Sequence, residues 1–281
     1  MSTAVVLTHT HPENSSDGLR AAAKVADELG VELVAPADEH TKHGDAAAGI
    51  GEVPDLPEKP DVCVVLGGDG SILYALRRYA RSGVPVFGIN FGTVGFLAAS
   101  EREDLDAGLR RALQGEFEVM SMPGLELGEG GDDSVALNDV TFTRQPHGRV
   151  AELSYSVAGE EVGHVRCDGL VAATPAGSTG YNLANAGPIL AWGVKGFVVS
   201  FIAPHTLTAR ALVVAPDDAL HVVNAAGRDP VEIELDGDHT SQLAPGEEIE
   251  VRFAEAVGSL AQVEGSTFYQ RIREKFGRLA K

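Results

Sequence analysis

The sequence predicts an α/β protein in two parts: an N-terminal parallel-sheet α/β domain and a β-rich C-terminal domain, with the C-terminal helix packing back on the first domain. Three observations predict it. Strand-like and helix-like patterns alternate through the first third of the chain, and strands joined by helices pair in parallel. After Glu116 short apolar stretches recur, punctuated by turn residues such as Gly128 to Asp133 and Gly237, as in a β-rich domain. From Thr267 to Leu279 the apolar residues Phe268, Ile272 and Phe276 share one helical face amid Arg and Lys. The expected boundaries are 1–117 plus 266–281 for the first domain and 118–265 for the second.

Val5-Val6-Leu7 reads as the first strand, followed by a helix pattern from about Gly18 to Leu29 closed by Gly30, then a strand from Val31 to Val34. A loop rich in Gly, Pro and acid covers Pro36 to Pro60, and His40 and His43 are expected there as solvated loop residues. Val62 to Leu66 is a continuous apolar run, the mark of a strand buried on both faces. A helix from Ser71 to about Arg81, a strand from Val84 to Ile89 and a helix from Glu103 to Gln114 complete the alternation. In the second domain the strand candidates are Leu125–Leu127, Val135–Thr143, Leu153–Val157, Glu160–Val165, Gly169–Ala173, Val198–Ile202, Ala219–Val223, Val231–Leu235 and Glu248–Phe253.

Composition excludes several classes. The 281 residues are 44% apolar and 22% charged, which excludes wholesale disorder. No apolar run approaches the roughly 20 residues that span a bilayer, and Met1 to Leu7 lacks the basic start and long apolar core of a secretory signal. The expected compartment is the cytoplasm. Acidic residues number 41 against 22 Lys plus Arg, a net charge of −19, which opposes nucleic-acid and anionic-membrane partners. At molar salt the Debye length is about 3 Å, so self-repulsion costs little; the charge is read as adaptation to high salt, as in a halophilic archaeon, with an acidic mesophile protein as the alternative. Two cysteines, Cys63 and Cys167, are too few for a disulfide framework or a four-Cys zinc site.

Chemistry concentrates in a few loops. Gly67-Gly68-Asp69-Gly70-Ser71 lies between a buried strand and a helix, where bare glycine backbone and helix-start N–H groups admit a phosphate. Asp69 cannot clamp phosphate, because like charges repel; it suits accepting a proton, holding a hydroxyl or reaching a metal. A tight turn with Asp69 and Ser71 as helix caps is the structural alternative. The loop is neither a Walker A loop nor a dinucleotide G-x-G-x-x-G. A second loop, Asn90 to Leu97, also leaves a strand, and on a parallel sheet the two loops are neighbours. Phe96 and Leu97 are read either as part of the site or as anchors for the next helix. The third stretch, Asp168 to Asn182, is a strand followed by a loop crowded with Thr174, Ser178, Thr179, Gly180 and Tyr181, suited to a ligand rich in hydroxyls and amides. Asn138-Asp139 sets an amide beside a carboxylate.

In this order the stretches resemble the NAD kinase family, whose pattern runs G-G-D-G-[ST], N-x-G-x-x-G-F-L, N-[ED] and D-G-x-x-x-x-T-P-x-G-S-T-x-Y, here at 67–71, 90–97, 138–139 and 168–181. Pro204 to Arg210 and Phe268 to Lys275 resemble later family segments. G-G-D-G alone is shared with phosphofructokinases and lipid kinases; the combination is specific. The resemblance implies transfer of the ATP γ-phosphoryl group to the 2′-hydroxyl of the NAD adenosine ribose, with Asp69 as the base. It implies that Gly67, Gly68, Gly70, Ser71, Phe96, Asn138, Asp139, Arg166, Asp168, Ser178, Thr179, Gly180, Tyr181 and Asn182 bind substrate or nucleotide. It also implies ATP with Mg²⁺ or another divalent metal, no dedicated protein metal site, a site lying between the domains, and a homodimer or homotetramer. Departures from the pattern are Ser71 for Thr, Asp139 for Glu, Tyr74 for Arg, Asp238 for Gln and Gly180 for Ala. Two other classes share part of the pattern: a non-catalytic NAD-binding sensor module, and a G-G-D-G lipid or sugar kinase, which lacks the Asp168–Tyr181 stretch.

Overall fold

A computed structural model describes residues 2–92, 95–129, 134–265 and 267–277. Thr93 and Val94 of the second loop, residues 130–133 of the expected turn and the end of the expected last helix lie outside the described residues. The chain divides into two compact units, Met1–Ser121 with Gly258–Lys281, and Met122–Val257.

The first unit contains, in order, β1 (Thr3–Thr8), α1 (Pro12–Leu29), β2 (Glu32–Pro36), α2 (Ala37–His43), β3 (Gly51–Val53), β4 (Val62–Gly67), α3 (Asp69–Arg78), β5 (Val86–Asn90), β6 (Ser100–Glu101) and α4 (Leu105–Gln114). The strands pair in parallel in the order β3-β2-β1-β4-β5. β4 is central and every residue of it is buried, so its apolar run has no polar face to alternate with. Helix α1 starts at Pro12, six residues before the expected Gly18, because Pro in the first turn needs no N–H partner. It ends where Gly30 adopts φ 67° and its N–H reaches the Ala26 and Asp27 carbonyls.

The expected loop from Pro36 to Pro60 is corrected: it holds α2 and β3, and His43 is buried. The Thr8 N–H donates to Glu39 Oε1 at 3.0 Å, and the Thr8 hydroxyl lies 2.6 Å from Glu39 Oε2 and 2.7 Å from His43 Nε2. Ser16 Oγ lies 2.9 Å from His43 Nδ1. A neutral imidazole donates from one nitrogen and accepts on the other, so His43 ties α2 to the end of β1 and to α1.

The second unit is antiparallel. It contains the end of β7 (Glu118–Leu127), then β8 (Val135–Ala136), β9 (Asp139–Arg144), β10 (Ala151–Val157), β11 (Glu160–Cys167), β12 (Gly169–Ala173), the one-turn α5 (Tyr181–Ala184), β13 (Phe197–Ile202), β14 (Leu212–Val214), β15 (Leu220–Asn224), β16 (Val231–Leu235), β17 (Asp238–Leu243) and the start of β18 (Glu248–Gln262). One sheet runs β14-β13-β12-β9-β16-β17; β11-β10-β15-β18 form a second ladder. Phe142, Leu170, Phe197 and Ile233 of the first ladder share a core with Leu153, Val165, Val222 and Val251 of the second. Cys167 belongs to this core and Cys63 to β4, both as free thiols.

The return to the first unit comes at Gly258, earlier than the expected 266, because β18 ends by pairing Leu260 with Val86 of β5. The last helix, α6 (Phe268–Phe276), is capped by Thr267, whose hydroxyl accepts the Gln270 N–H. It lays Phe268 and Phe276 against Phe96, ring centroids 6.3 and 5.9 Å apart.

Burial lowers the His43 pKa below its ordinary value, with Glu39 opposing. The unfolded chain therefore binds more protons near and below pH 6.5, and stability drops as pH falls through that range. The thermal midpoint of the wild type should fall more steeply between pH 7 and 5 than that of His43→Gln; parallel slopes would contradict this.

Candidate active site

The Asp69 loop grows from the end of β4. Gly68 caps α3, and its carbonyl accepts the Ser71 and Ile72 N–H groups at 3.0 and 3.1 Å. Asp69, in the first turn, turns its carboxylate toward the loop that follows β5. Oδ2 accepts the Phe96 N–H at 2.8 Å and Oδ1 accepts the Leu97 N–H at 3.0 Å. Parallel pairing of β4 with β5 brings the two loops together, and the Phe91 N–H completes the join on the Gly67 carbonyl at 3.0 Å. A β-carbon at Gly95 would collide with the Asp69 carboxylate. Beside this loop, at the C-terminal edge of β1, β2 and β4, a cavity of about 610 Å³ is lined by Gly68, Gly70 and Ser71 with Lys42, Arg78 and His9. Asp38, Glu39 and Asp55 line the same cavity and Lys42 pairs with Glu39 at 2.8 Å, so what it offers an anion is glycine backbone, a helix start and Arg78.

The second unit carries a separate polar cradle. β9 pairs with β12 so that Asp139 faces Ala173, which sets Asn138 beside Thr174. The Thr174 N–H donates to the Asn138 carbonyl at 2.8 Å, and its hydroxyl donates to the Leu137 carbonyl at 2.7 Å. Gly177 packs so closely that a β-carbon there would overlap the Asn138 backbone. Across β16, Asp236 and Gly237 form a two-residue hairpin with φ 54° and 85°, the positive values a tight I′-type turn needs. The Asp236 carboxylate accepts the N–H groups of Leu137, Asn138 and Asp139 at 3.0, 2.6 and 3.1 Å. Asp139 is 7% exposed; burial first, then Asp236 and Glu234, push its pKa up to about 7. Tyr181, at the start of α5, is 41% exposed; its phenol pKa is raised by partial burial and by Glu234, Asp139 and Asp168. A further cavity of about 650 Å³ is lined by Arg144, Arg149, Arg166 and Arg228. Arg144 Nε pairs with Asp168 at 2.7 Å and Arg166 Nε with Glu152 at 3.1 Å.

Comparison with known families matches residues 25–117 to the ATP-NAD kinase N-terminal domain and 137–262 to the ATP-NAD kinase C-terminal domain. The NAD kinase of Symbiobacterium thermophilum is 39% identical over 242 residues, covering 82% of this chain and 86% of that protein. That of Carboxydothermus hydrogenoformans is 35% identical over 231 residues, covering 80% and 82%. The chain belongs to the ATP-NAD kinase family. Among solved structures, an Archaeoglobus fulgidus NAD kinase in complex with ATP superposes with a TM-score of 0.72 at 26% identity, covering 99% of this chain and 98% of that one. Yeast NADH kinase complexed with NADH shares the fold, with a TM-score of 0.85 at 20% identity over 100% of this chain and 90% of that one.

Within this NAD kinase family member most of the expected site residues fall into two groups. Gly67, Gly68, Asp69, Gly70 and Ser71 gather at the end of β4, and Asn138, Asp139, Thr179, Gly180 and Tyr181 gather at the facing ends of β9 and β12, each group with polar surface open to a ligand. Arg166 and Asp168 line the arginine-rich cavity. Three of the expected site residues turn their side chains inward. Ser178 is fully buried: its hydroxyl donates to the Pro175 carbonyl at 2.7 Å and accepts the Leu190 N–H at 2.9 Å. Asn182 is fully buried too, donating to the Ser178 and Pro188 carbonyls at 2.9 and 3.0 Å. Both side chains hold the loop in shape. The Phe96 ring is buried under α6; what Phe96 offers the site is its N–H. Gln262 and Arg271 organise the first group and Asp236 the second; Arg271 falls in the Phe268–Lys275 segment that resembles the family, while nothing in the sequence near Gln262 singles it out.

Among the described residues no three His, Cys, Asp or Glu side chains form a metal-holding group. A divalent ion that arrives on nucleotide phosphates needs only one or two protein carboxylates, and Asp69 is the carboxylate at the end of the glycine loop.

Two outcomes are expected. Gly95→Ala should push the Asp69 carboxylate out of its two N–H bonds and cut turnover at least about tenfold, read as the initial rate at saturating substrate. Asp139, with its pKa raised, makes the folded chain bind more protons between about pH 4 and 7, so its ionisation destabilises the fold as pH rises. Asp139→Asn should therefore stabilise the protein at pH 8 by on the order of a few kcal/mol, with the gain vanishing near pH 4 in urea titrations.

Proposed function

We propose that the protein is an NAD kinase that transfers the γ-phosphoryl group of ATP to the 2′-hydroxyl of the adenosine ribose of NAD, giving NADP and ADP. The observation that carries this is the Asp69 carboxylate, held by two backbone N–H groups at a helix start beside a cavity lined by Gly68, Gly70 and Ser71. In this reading Asp69 orients the ribose 2′-hydroxyl and takes its proton as the oxygen bonds to phosphorus and the bond to the ADP oxygen breaks. A loose transition state asks for alignment and charge neutralisation more than early proton removal, so Asp69 acts first by position. Gly67, Gly68, Gly70 and Ser71, with Lys42 and Arg78, receive the triphosphate. Mg²⁺ or another divalent ion, bound with ATP, supplies the remaining neutralisation of phosphate charge. Asn138 and Asp139 hold the nucleoside hydroxyls and amine, Tyr181 stacks on a base, and Thr179, Gly180, Asp168 and Arg166 complete the dinucleotide seat.

We infer also that the chain works in the cytoplasm of a salt-adapted host, without nucleic-acid or membrane partners. The −19 charge supports this, and among the described residues no helix is long and apolar enough to cross a membrane. A homodimer or homotetramer is the expected assembly, supported by exposed Leu212 and Val213 on the edge strand β14 and by Leu207, 93% exposed.

The decisive test is ATP-dependent NADP formation read with an NADP-specific dehydrogenase. Wild type should make product, and Asp69→Asn should lose about a hundredfold or more in kcat while keeping NAD affinity. A protein that binds NAD but never makes NADP would be a sensor instead. The thermal midpoint should rise from low to molar KCl; a flat response would reject the salt reading.

A further inference from the structure

We propose that Arg271 of α6, acting through Gln262 at the end of β18, is a positioning residue for Asp69. The inference rests on the reading of Asp69 as the group that meets the ribose hydroxyl, and it deepens that reading by naming what holds the carboxylate in place.

The contacts form one continuous path. Asp69 Oδ1 accepts the Leu97 N–H at 3.0 Å, and the carbonyl of the same Leu97 accepts Gln262 Nε2 at 3.2 Å. Gln262 Oε1 in turn accepts Arg271 Nη2 at 2.7 Å. Both Gln262 and Arg271 are 8% exposed, so these bonds are made where water competes little and a lost partner is costly. The two flat polar groups thus fix Leu97 from behind while its N–H grips the aspartate from the front.

Charge points the same way. Burial pulls the Arg271 guanidinium pKa down, and Asp69, then Glu101 and Glu274, push it back. Asp69 is the foremost carboxylate in that balance. Glu101 is tied to the start of the same loop: it accepts Asn90 Nδ2 at 2.8 Å, and Asn90 Oδ1 accepts the Gly92 N–H at 3.0 Å. The charge of this buried cation is therefore favoured by two carboxylates that hold the ends of the second loop. Apolar packing supports the helix that carries it, through Phe268 and Phe276 on Phe96 and through Lys275 Nζ, 4.6 Å from the Phe96 ring centre. No atom of this path needs to touch substrate. Its output is the placement of two N–H groups, and so of one carboxylate.

A residue that only stabilised the fold would change melting and leave the chemistry of correctly folded molecules alone. A positioning residue changes kcat through Asp69. The test is a cycle of wild type, Arg271→Gln, Asp69→Asn and the double variant, assayed for NADP formation beside hydrogen exchange of backbone amides. Arg271→Gln should lower kcat by about tenfold to a hundredfold and move KM for NAD by less than about twofold. In the Asp69→Asn background the same substitution should cost nothing further, because the group it positions is gone. The Phe96 and Leu97 amides should exchange faster in Arg271→Gln, and Gln262→Met, which keeps the volume but breaks the bridge, should reproduce both effects.

Equal fractional losses in the two backgrounds, a change confined to KM, or unchanged amide exchange would overturn the proposal. Full activity of Asp69→Asn alone would instead sink the reading of Asp69, while the exchange data still report whether Arg271 braces the loop. Should Arg271→Gln fail to fold, Gln262→Met and Arg271→Lys carry the same comparison, with Lys expected to restore part of kcat.

Discussion

The hold of two backbone N–H groups on the Asp69 carboxylate is the constraint around which the first unit is organised. It requires β4 and β5 to be adjacent and parallel, since only then do the loops leaving Gly67 and Asn90 meet. It requires glycine at 95, where any side chain would occupy the space of the carboxylate oxygens. It also requires the second loop to be fixed independently, because a mobile loop would carry the aspartate with it. Phe96 meets that need by burial and Leu97 by its carbonyl. A carboxylate aimed in advance loses little orientational freedom at the moment of reaction, and that is the main source of rate when the transition state itself asks for little covalent help.

Anion recognition by so acidic a chain raises a question of scale. At −19 the distant field repels nucleotides, yet screening confines that field to within a few ångströms at high ionic strength. What acts at contact distance is local. The cavity beside Asp69 offers glycine backbone, a helix start and Arg78 among the carboxylates Asp38, Glu39 and Asp55, and the second unit gathers four arginines around one cavity, two of them paired with Asp168 and Glu152. The cradle at Asn138 takes the opposite character, with Asp139, Glu234 and Asp236 close together and Asp139 lifted toward neutrality by burial and by the other two. Such a surface accepts hydrogen bonds from hydroxyl and amine groups, which are what a nucleoside presents.

The loops that hold the chemistry were legible because glycine and hydroxyl residues cluster there in sequence, and the strand before Gly67 was legible because it is apolar throughout. α2 was not: seven residues flanked by Pro36 and Gly44 read as loop, and only the buried bonds of Glu39 and His43 to Thr8 make them a helix. β17 was missed because its residues before Leu243 are exposed and polar. Ser178 and Asn182 look like ligand groups in any list of residue types, and nothing local tells that their polar atoms turn inward. Asp236 and Gln262 act across separations of 97 to 99 and 165 residues, far outside any window in which a pattern can be read.

That long separation has a consequence for synthesis. Domains form roughly in the order in which they leave the ribosome, so the stretch 69–97 emerges with its aspartate long before Gln262 and α6 exist to support it. A partly made chain can assemble β1 to β5 and still present the carboxylate on an unsupported loop. The bonds that brace Leu97 thus come from residues that follow the whole second unit in the chain.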